Sequence, residues 1–363
     1  MKPEDILRHP ARVLTQDQRE AYFRDGYLVV ERLIPEDVVD EINRITAGWI
    51  DRSRAITAPN DVLDVAPSHS AEKPVVRRLK KPDGMDPAYW DYANGVIADV
   101  AADLLGPDVC FHHSKLNFKW SDGHDEVAWH QDIAFYPHTN YSLLAIGTYL
   151  ADVNPGDGPL GVIPGSHKGP IFEHYDDNDI WTGRIKDDAV AELPTETAVY
   201  CPAPKGSITI HHARAVHATE ATTHSVSGRP LLINAFASAD AFPYAALKST
   251  YTEHFRTLVR GTPARWAHHD PEPCPTPPDF SAGYTSIYAQ QAGEPGTPTP
   301  RDPGHRPEAA IKAALKSAAS CSARGCRASR TEAWSCCAAA PCSRRRRPRS
   351  ASCRSRRRRR SPC

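Results

Sequence analysis

The spacing of apolar residues along this chain changes once, and that change limits the fold more than any other feature. In the first hundred residues they recur at helical intervals, as with Val38, Val39, Ile42 and Ile45 on one helix face. From Val109 onward they alternate, and turn-formers such as Asp122-Gly123, Asn154-Pro155-Gly156-Asp157-Gly158 and Gly165-Ser166 cut the sequence into short runs. Candidate strands are Val109–Trp120, Val127–His130, Ser142–Leu150, Leu160–Ile163, Thr197–Cys201, Ser207–His211, Ala215–His217 and Pro230–Ser238. Short strands at this spacing predict a mainly β fold, a barrel or sandwich, with the helices packed outside one sheet.

The N-terminal part reads as helix, strand, helix. Thr15 with Gln18 three residues on has the form of a capping box, and Gly26 stops the helix that it opens. A strand Tyr27–Val30 follows, then a helix with Pro35 in its first turn. Residues 51–84 read as polar and irregular, and Asp86–Leu105 as a third helix ended by Gly106-Pro107.

Composition divides the chain in two. Of 363 residues, 40% are apolar and 24% charged, with a net charge of zero. Yet residues 321–363 carry fourteen Arg and the single acid Glu332, and seven of the ten Cys. The domain expectation is therefore a body over residues 1–293, with helices in 15–105, a barrel in 109–238 and a closing segment in 239–293. A Pro-rich linker over 294–307 and a disordered tail over 308–363 follow, since Ala, Ser, Cys and Arg bury too little apolar surface to offset chain entropy. That tail is either an arginine-rich arm for nucleic acid or a stretch read out of its natural frame; without a genuine arm no nucleic-acid partner is expected. No apolar run approaches a membrane span, and MKPEDILRHP lacks the form of a secretory signal, so a soluble, cytoplasmic protein without a membrane partner is expected.

The chemistry centres on Trp129-His130-Gln131-Asp132. Side chains two apart on a strand share a face, so His130 and Asp132 would present an imidazole and a carboxylate together. A second imidazole would complete the two-His-one-carboxylate face that suits Fe(II) with open positions. The segment Ile208–His217 offers His211, His212 and His217; His217 is preferred because Arg229 follows twelve residues later at the head of an apolar strand. A guanidinium there can grip the distal carboxylate of 2-oxoglutarate as a fork. His212 is the reserve ligand.

Four motifs in order resemble the phytanoyl-CoA dioxygenase family of Fe(II)/2-oxoglutarate enzymes, over roughly residues 14–290. They are LTQDQREAYFRDGYLVVERLIPEDVVDEI, LNFKW with AWHQD, DGPLGVIPGSHKG at residues 157–169, and HATEATTHSVSGRP at 217–230. The resemblance implies a double-stranded β-helix (a jelly-roll, cupin-like barrel) with His130, Asp132 and His217 on iron and Arg229 on 2-oxoglutarate. It implies further co-substrate contacts at Thr219 and Lys115. Gln131, between two ligands, is grouped with the cofactor-binding residues, although the strand's period turns it from the metal. At Gly147 some relatives carry a Trp that lines the co-substrate pocket. Ser166-His167-Lys168 reads as a turn that closes the barrel.

The implied cofactors are Fe(2+), 2-oxoglutarate and O2, with ascorbate as a stimulant. The implied reaction is hydroxylation of an unactivated C–H in a small natural-product-like molecule, releasing succinate and CO2. Alternatives are desaturation, epimerisation or cyclisation by the same machinery, or a redox-silent cupin-like isomerase or binder. The segments 51–84, 133–141 and 171–195 are expected to border the pocket; the first is polar, and Phe135, Tyr136 and Trp181 in the others suggest an apolar or ring-bearing substrate with some polar decoration. The oligomeric state is open.

Overall fold

The computed structural model describes residues 1–120, 126–222, 228–244, 251–278, 284 and 286–293. The Arg-rich tail, the Pro-rich linker, Phe280 and the Asp122-Gly123 turn lie outside the described residues. The helices are α1 (Pro3–Ile6), α2 (Gln16–Asp25), α3 (Glu36–Ser53), α4 (Pro87–Ala93), α5 (Val96–Leu105), α6 (Asp187–Ala191) and α7 (Ile287–Gln291). The strands are β1 (Tyr27–Val30), β2 (Leu63–Val65), β3 (Val76–Lys80), β4 (Val109–Asn117), β5 (Val127–His130), β6 (Leu143–Tyr149), β7 (Leu160–Val162), β8 (Val199–Tyr200), β9 (Ile208–His212), β10 (His217–Thr219), β11 (Leu231–Ser238) and β12 (Leu258–Arg260).

The strands form two antiparallel sheets. The larger runs β1-β9-β6-β11-β4-β3-β2, with β12 also paired to β4; the smaller runs β5-β10-β7-β8. This is the mainly β, double-stranded β-helix arrangement that the sequence predicts, although among the described residues no ladder joins the two sheets into a closed barrel. Alternation sorts the large sheet's side chains. Phe111 and Leu116 of β4, Leu144 and Ile146 of β6, and Leu232 and Phe236 of β11 pack with α3, α4 and α5 in one apolar core. Their alternates, among them Ala145, Tyr149, Leu231 and Ile233, form a separate cluster on the opposite face.

Local signals place the ends of the N-terminal elements. Thr15 and Gln18 make the reciprocal capping box of α2, and Gly26 closes that helix at φ 82°. The single helix expected over Asp86–Leu105 is instead two, because Asn94 ends α4 and Gly95 begins α5 with non-helical backbone. Residues 51–84 depart most from expectation. They contribute β2 and β3, which extend the large sheet past β4. The alternation there escapes notice because inward positions hold charges, Asp64 and Arg78, where a half-buried strand normally shows apolar residues. The strand expected at Ala215–His217 begins at His217, since Ala215 N–H closes a turn on His212 O at 2.8 Å.

Candidate metal and co-substrate site

His130 ends β5, Asp132 opens the short 3-10 turn that follows, and His217 begins β10. The pairing of β10 with β5 sets His217 directly opposite His130. One ligand atom from each of His130, Asp132 and His217 lies within 4.8 Å of the others, and all three residues are buried. The imidazoles are fixed by their rear nitrogens: His130 Nδ1 donates to Ala128 O and His217 Nδ1 to Ala215 O, both at 2.9 Å. Each Nε2 is thereby left as a lone-pair donor, the tautomer that a metal needs. Ser166 accepts a hydrogen bond from Val216 N–H at 2.9 Å, so the Ser166-His167-Lys168 turn seats the residue before His217.

Electrostatics favour a metal-ready state. Burial holds the His130 imidazole down at about 4 and that of His217 well below its ordinary value, so both are neutral near pH 7. Burial would raise the Asp132 carboxyl; the Lys115 ammonium, a hydrogen bond from His211 and the His217 ring outweigh it and hold the group well below the usual range. His211 Nε2 stands 3.2 Å from Asp132 Oδ2. The sequence does not reveal this partner, since His211 stands there only as one of three candidate ligands in Ile208–His217. His212 faces the other side of the sheet, against Tyr22 and His167, with its Nδ1 accepting from Arg214 N–H at 3.0 Å. It is no part of the His130–Asp132–His217 group.

Arg229 precedes β11 and is 2% exposed, yet its Nε and Nη1 have no hydrogen-bond partner. Its backbone sits at φ 37°, an uncommon conformation for a non-glycine residue and more so before proline. Burial lowers its pKa, although a guanidinium stays charged regardless. Thr219, at the far end of β10 from His217, has a buried hydroxyl that also lacks a partner. A buried fork and a buried hydroxyl without partners fit the carboxylate of a small diacid. Residues of the DGPLGVIPGSHKG segment back this end of β10. Gly158 sits at φ 66°, and a Cβ there would come 2.4 Å from Glu220 O. Lys119 Nζ donates to the same carbonyl at 2.6 Å.

Gln131 and Lys115 have different surroundings. The amide of Gln131 donates to Pro170 O and Arg214 O and accepts from Phe172 N–H, which ties three loops behind the site. It therefore points away from the metal face, as the strand's period requires. Lys115 lines a cavity against Asp132 with Arg78, His113, Phe135 and Tyr136. Tyr284 and Ile287 complete that cavity. Trp181 does not line it but packs edge-on behind Phe135, ring centroids 5.4 Å apart. At Gly147 a Cβ would come 2.9 Å from Leu231 Cδ1 and 3.0 Å from Thr209 Oγ1, so these two residues occupy the wall that a larger side chain would form.

The model of the phytanoyl-CoA dioxygenase family matches residues 22–228, more than half of the chain. The chain belongs to that family. It is accordingly an enzyme, an Fe(II)- and 2-oxoglutarate-dependent dioxygenase. A similar family protein is the probable alpha-ketoglutarate-dependent hypophosphite dioxygenase of Stutzerimonas stutzeri, 29% identical over 262 residues that cover 68% of this chain and 86% of that one. The ectoine dioxygenase of Sphingopyxis alaskensis is 32% identical over 164 residues, covering 42% of this chain and about half (49%) of the relative. The crystal structure of EctD from S. alaskensis with 2-oxoglutarate and 5-hydroxyectoine superposes with a TM-score of 0.54 at 22% identity, over 74% of this chain and 92% of that one. At that identity the likeness establishes the family's fold. Among the described residues no helix is long and apolar enough to cross a membrane.

Proposed function

We propose that the enzyme hydroxylates an unactivated C–H bond of a small organic molecule of the natural-product type, with His130, Asp132 and His217 holding iron. The observation that carries this reading is the pairing of a buried His-Asp-His face with a buried guanidinium that has unpartnered N–H groups. Arg229 and the Thr219 hydroxyl would take the distal carboxylate of 2-oxoglutarate, leaving its keto-acid end for the metal. Bound iron, with O2 and 2-oxoglutarate, supplies the oxidative decarboxylation that yields succinate and CO2 and oxidises one C–H; ascorbate would keep the iron reduced.

The chain's own part is geometric. The backbone carbonyls of Ala128 and Ala215 fix the two imidazoles, and His211 fixes the carboxylate. Phe135 lies edge-on to the His130 ring, centroids 5.9 Å apart, and with Ile133 and Trp181 it keeps water from that side. The redox-silent cupin alternative gives Arg229 no role, and so it does not account for a strained, buried cation.

We further assign catalysis to residues 1–293, with a small molecule as the only required partner, in the cytoplasm. Cys110, Cys201 and Cys274 are free thiols, which suits a reducing compartment. The decisive experiment is anaerobic addition of Fe(II) and 2-oxoglutarate, read as visible charge-transfer absorption, then a screen of candidate substrates for succinate formation. Absence of both the absorption and substrate-dependent succinate would refute the reading.

A further inference from the structure

The two imidazoles of the proposed iron face are not held alike. His217 begins β10, an inner strand with β5 on one side and β7 on the other. His130 ends β5, and among the described residues β5 is an edge strand of the smaller sheet. Its one ladder is irregular as well. His217 stands opposite His130 and Thr219 opposite Val127, so Ala128 and Trp129 share the single residue Ala218 between them. A shift of this kind leaves backbone groups without ladder partners. Yet Ala128 supplies the carbonyl that accepts from His130 Nδ1, at 2.9 Å. The weakest stretch of the strand carries the hydrogen bond that aims a metal ligand.

Other groups take the place of the missing neighbour strand. Ala128 N–H donates to Gln291 Oε1 at 2.9 Å, and Ile185 N–H donates to Trp129 O at 2.9 Å. Just past the strand, Gln131 N–H donates to His174 Nε2 at 3.1 Å. Gln291 comes from furthest along the chain, in α7, well past residue 228 where the family segment ends.

The Gln291 amide is fixed at both ends. While its Oε1 accepts from Ala128, its Nε2 donates to Gly183 O at 3.0 Å, so the network sets which way the amide faces. The helix that carries it is anchored separately. Ser286 caps α7 by accepting from Ala289 N–H, and Ile287 and Tyr288 pack in one apolar cluster with Phe135 and Trp181. Gln290 Nε2 donates to Trp181 O at 2.7 Å, a contact with the 181–185 loop and not with β5.

We infer that Gln291 is a positioning residue for the iron ligand His130. By holding the Ala128 N–H it steadies the backbone whose carbonyl orients the imidazole, and so keeps Nε2 aimed at the metal face. The C-terminal helix is then a working part of the metal centre. Without the Gln291 oxygen, Ala128 is free to turn toward water, and the His130 ring loses a fixed acceptor. The inference rests on the dioxygenase reading above, in which His130 binds iron.

The test uses the full-length protein under anaerobic conditions, with Fe(II) affinity read by equilibrium dialysis and ligand geometry by the visible d–d absorption of bound Co(II). Gln291→Met keeps the length of the side chain and removes the acceptor. It should weaken Fe(II) binding roughly tenfold, the lower end of what such outer partners contribute, and alter the Co(II) bands. Gln291→Glu keeps an oxygen for Ala128 and should restore both toward wild type. Gln290→Met removes a contact of the same helix that does not touch β5, and should leave affinity within about twofold and the bands unchanged. If Gln291→Met does not fold, Gln291→Asn, whose amide falls one methylene short of Ala128, replaces it with the same expectation. The inference is overturned if the Gln291 variant loses less than threefold in affinity, if its Co(II) bands match wild type, if Gln291→Glu is no better than methionine, or if Gln290→Met loses as much. Failure of the wild type to bind Fe(II) or Co(II) would instead remove the dioxygenase reading on which the inference stands.

Discussion

His211 Nε2 meets Asp132 Oδ2 at 3.2 Å, and its opposite nitrogen, Nδ1, is buried without a partner. The proton is therefore best placed on Nε2, where it fixes one carboxylate oxygen and leaves the other toward the metal face. Residues that orient a ligand in this way typically change metal affinity by roughly 10–100-fold when removed. His211→Ala should weaken Fe(II) binding by that factor, while alanine at His130, Asp132 or His217 should abolish tight binding and turnover together. Equilibrium dialysis with Fe(II) under anaerobic conditions, on all four variants, gives the ordering.

His212, one residue away, should behave differently. It is half-buried on the helix side of the sheet, between the rings of Tyr22 and His167. His212→Ala should cost roughly 1–3 kcal/mol of stability through lost packing and leave Fe(II) affinity within about threefold. A dead His212→Ala with an active His217→Ala would reverse the assignment of the third ligand.

Arg229→Ala should raise the 2-oxoglutarate concentration needed for half-maximal rate by roughly 10–100-fold or more, the scale of about 1.5–3 kcal/mol for a hydrogen bond to a charged group. Fe(II) affinity should be nearly unchanged. Arg229→Lys should recover little, because an ammonium cannot form the two-pronged contact. Steady-state kinetics in 2-oxoglutarate, beside metal titrations, separates the two effects.

Stability of the metal-free protein should fall as pH drops below about 6.5. Burial lowers the imidazoles of His113 to about 3, His138 to about 4 and His174 to about 3, from an ordinary 6.5. Above 6.5 these rings are neutral folded or unfolded and give no pH dependence. Between 6.5 and about 4 the unfolded chain takes up protons that the native core refuses, which favours unfolding. Denaturant melts at a series of pH values should show the loss within this window and a proton uptake on unfolding greater than one.

A chain ending at Gly293 should keep the melting temperature and turnover of the full sequence, and should lose any affinity for polyanions contributed by the fourteen arginines beyond residue 320. A melting temperature lower by several degrees would assign the deleted residues a part in the folded body.

What could be read from the sequence depended on whether chemistry and packing asked for the same residue. At β11 they agree: Leu231, Ile233, Ala235 and Ala237 alternate with residues facing the helices, and the strand is plain. At His130 and Asp132 period two sufficed to bring two side chains to one face. At β2 and β3 function competes with pattern, since Arg78 and Asp64 occupy buried positions where the strand signal requires apolar residues. The run Ile208–His217 held three imidazoles, and spacing alone did not assign three different duties to them. Only the pairing of His217 with His130, and of His211 with Leu28's neighbour Tyr27, separates the ring that faces the metal from the one that steadies a carboxylate.

The end of α2 has a consequence for inheritance and engineering. Asp25 O accepts from Gly165 N–H at 2.7 Å, Gly26 O from His212 N–H at 2.9 Å, and Arg24 O from the Lys168 ammonium at 3.1 Å. A Cβ at Gly26 would stand 2.3 Å from His167 Nδ1. The helix thus clamps both segments that lead to His217: the turn bearing Ser166, and the end of β9. Trimming the N-terminus past α2, or placing any larger residue at Gly26, would show itself first as loosened iron rather than as a melted sheet. A glycine more than a hundred residues from the third ligand is therefore answerable to it.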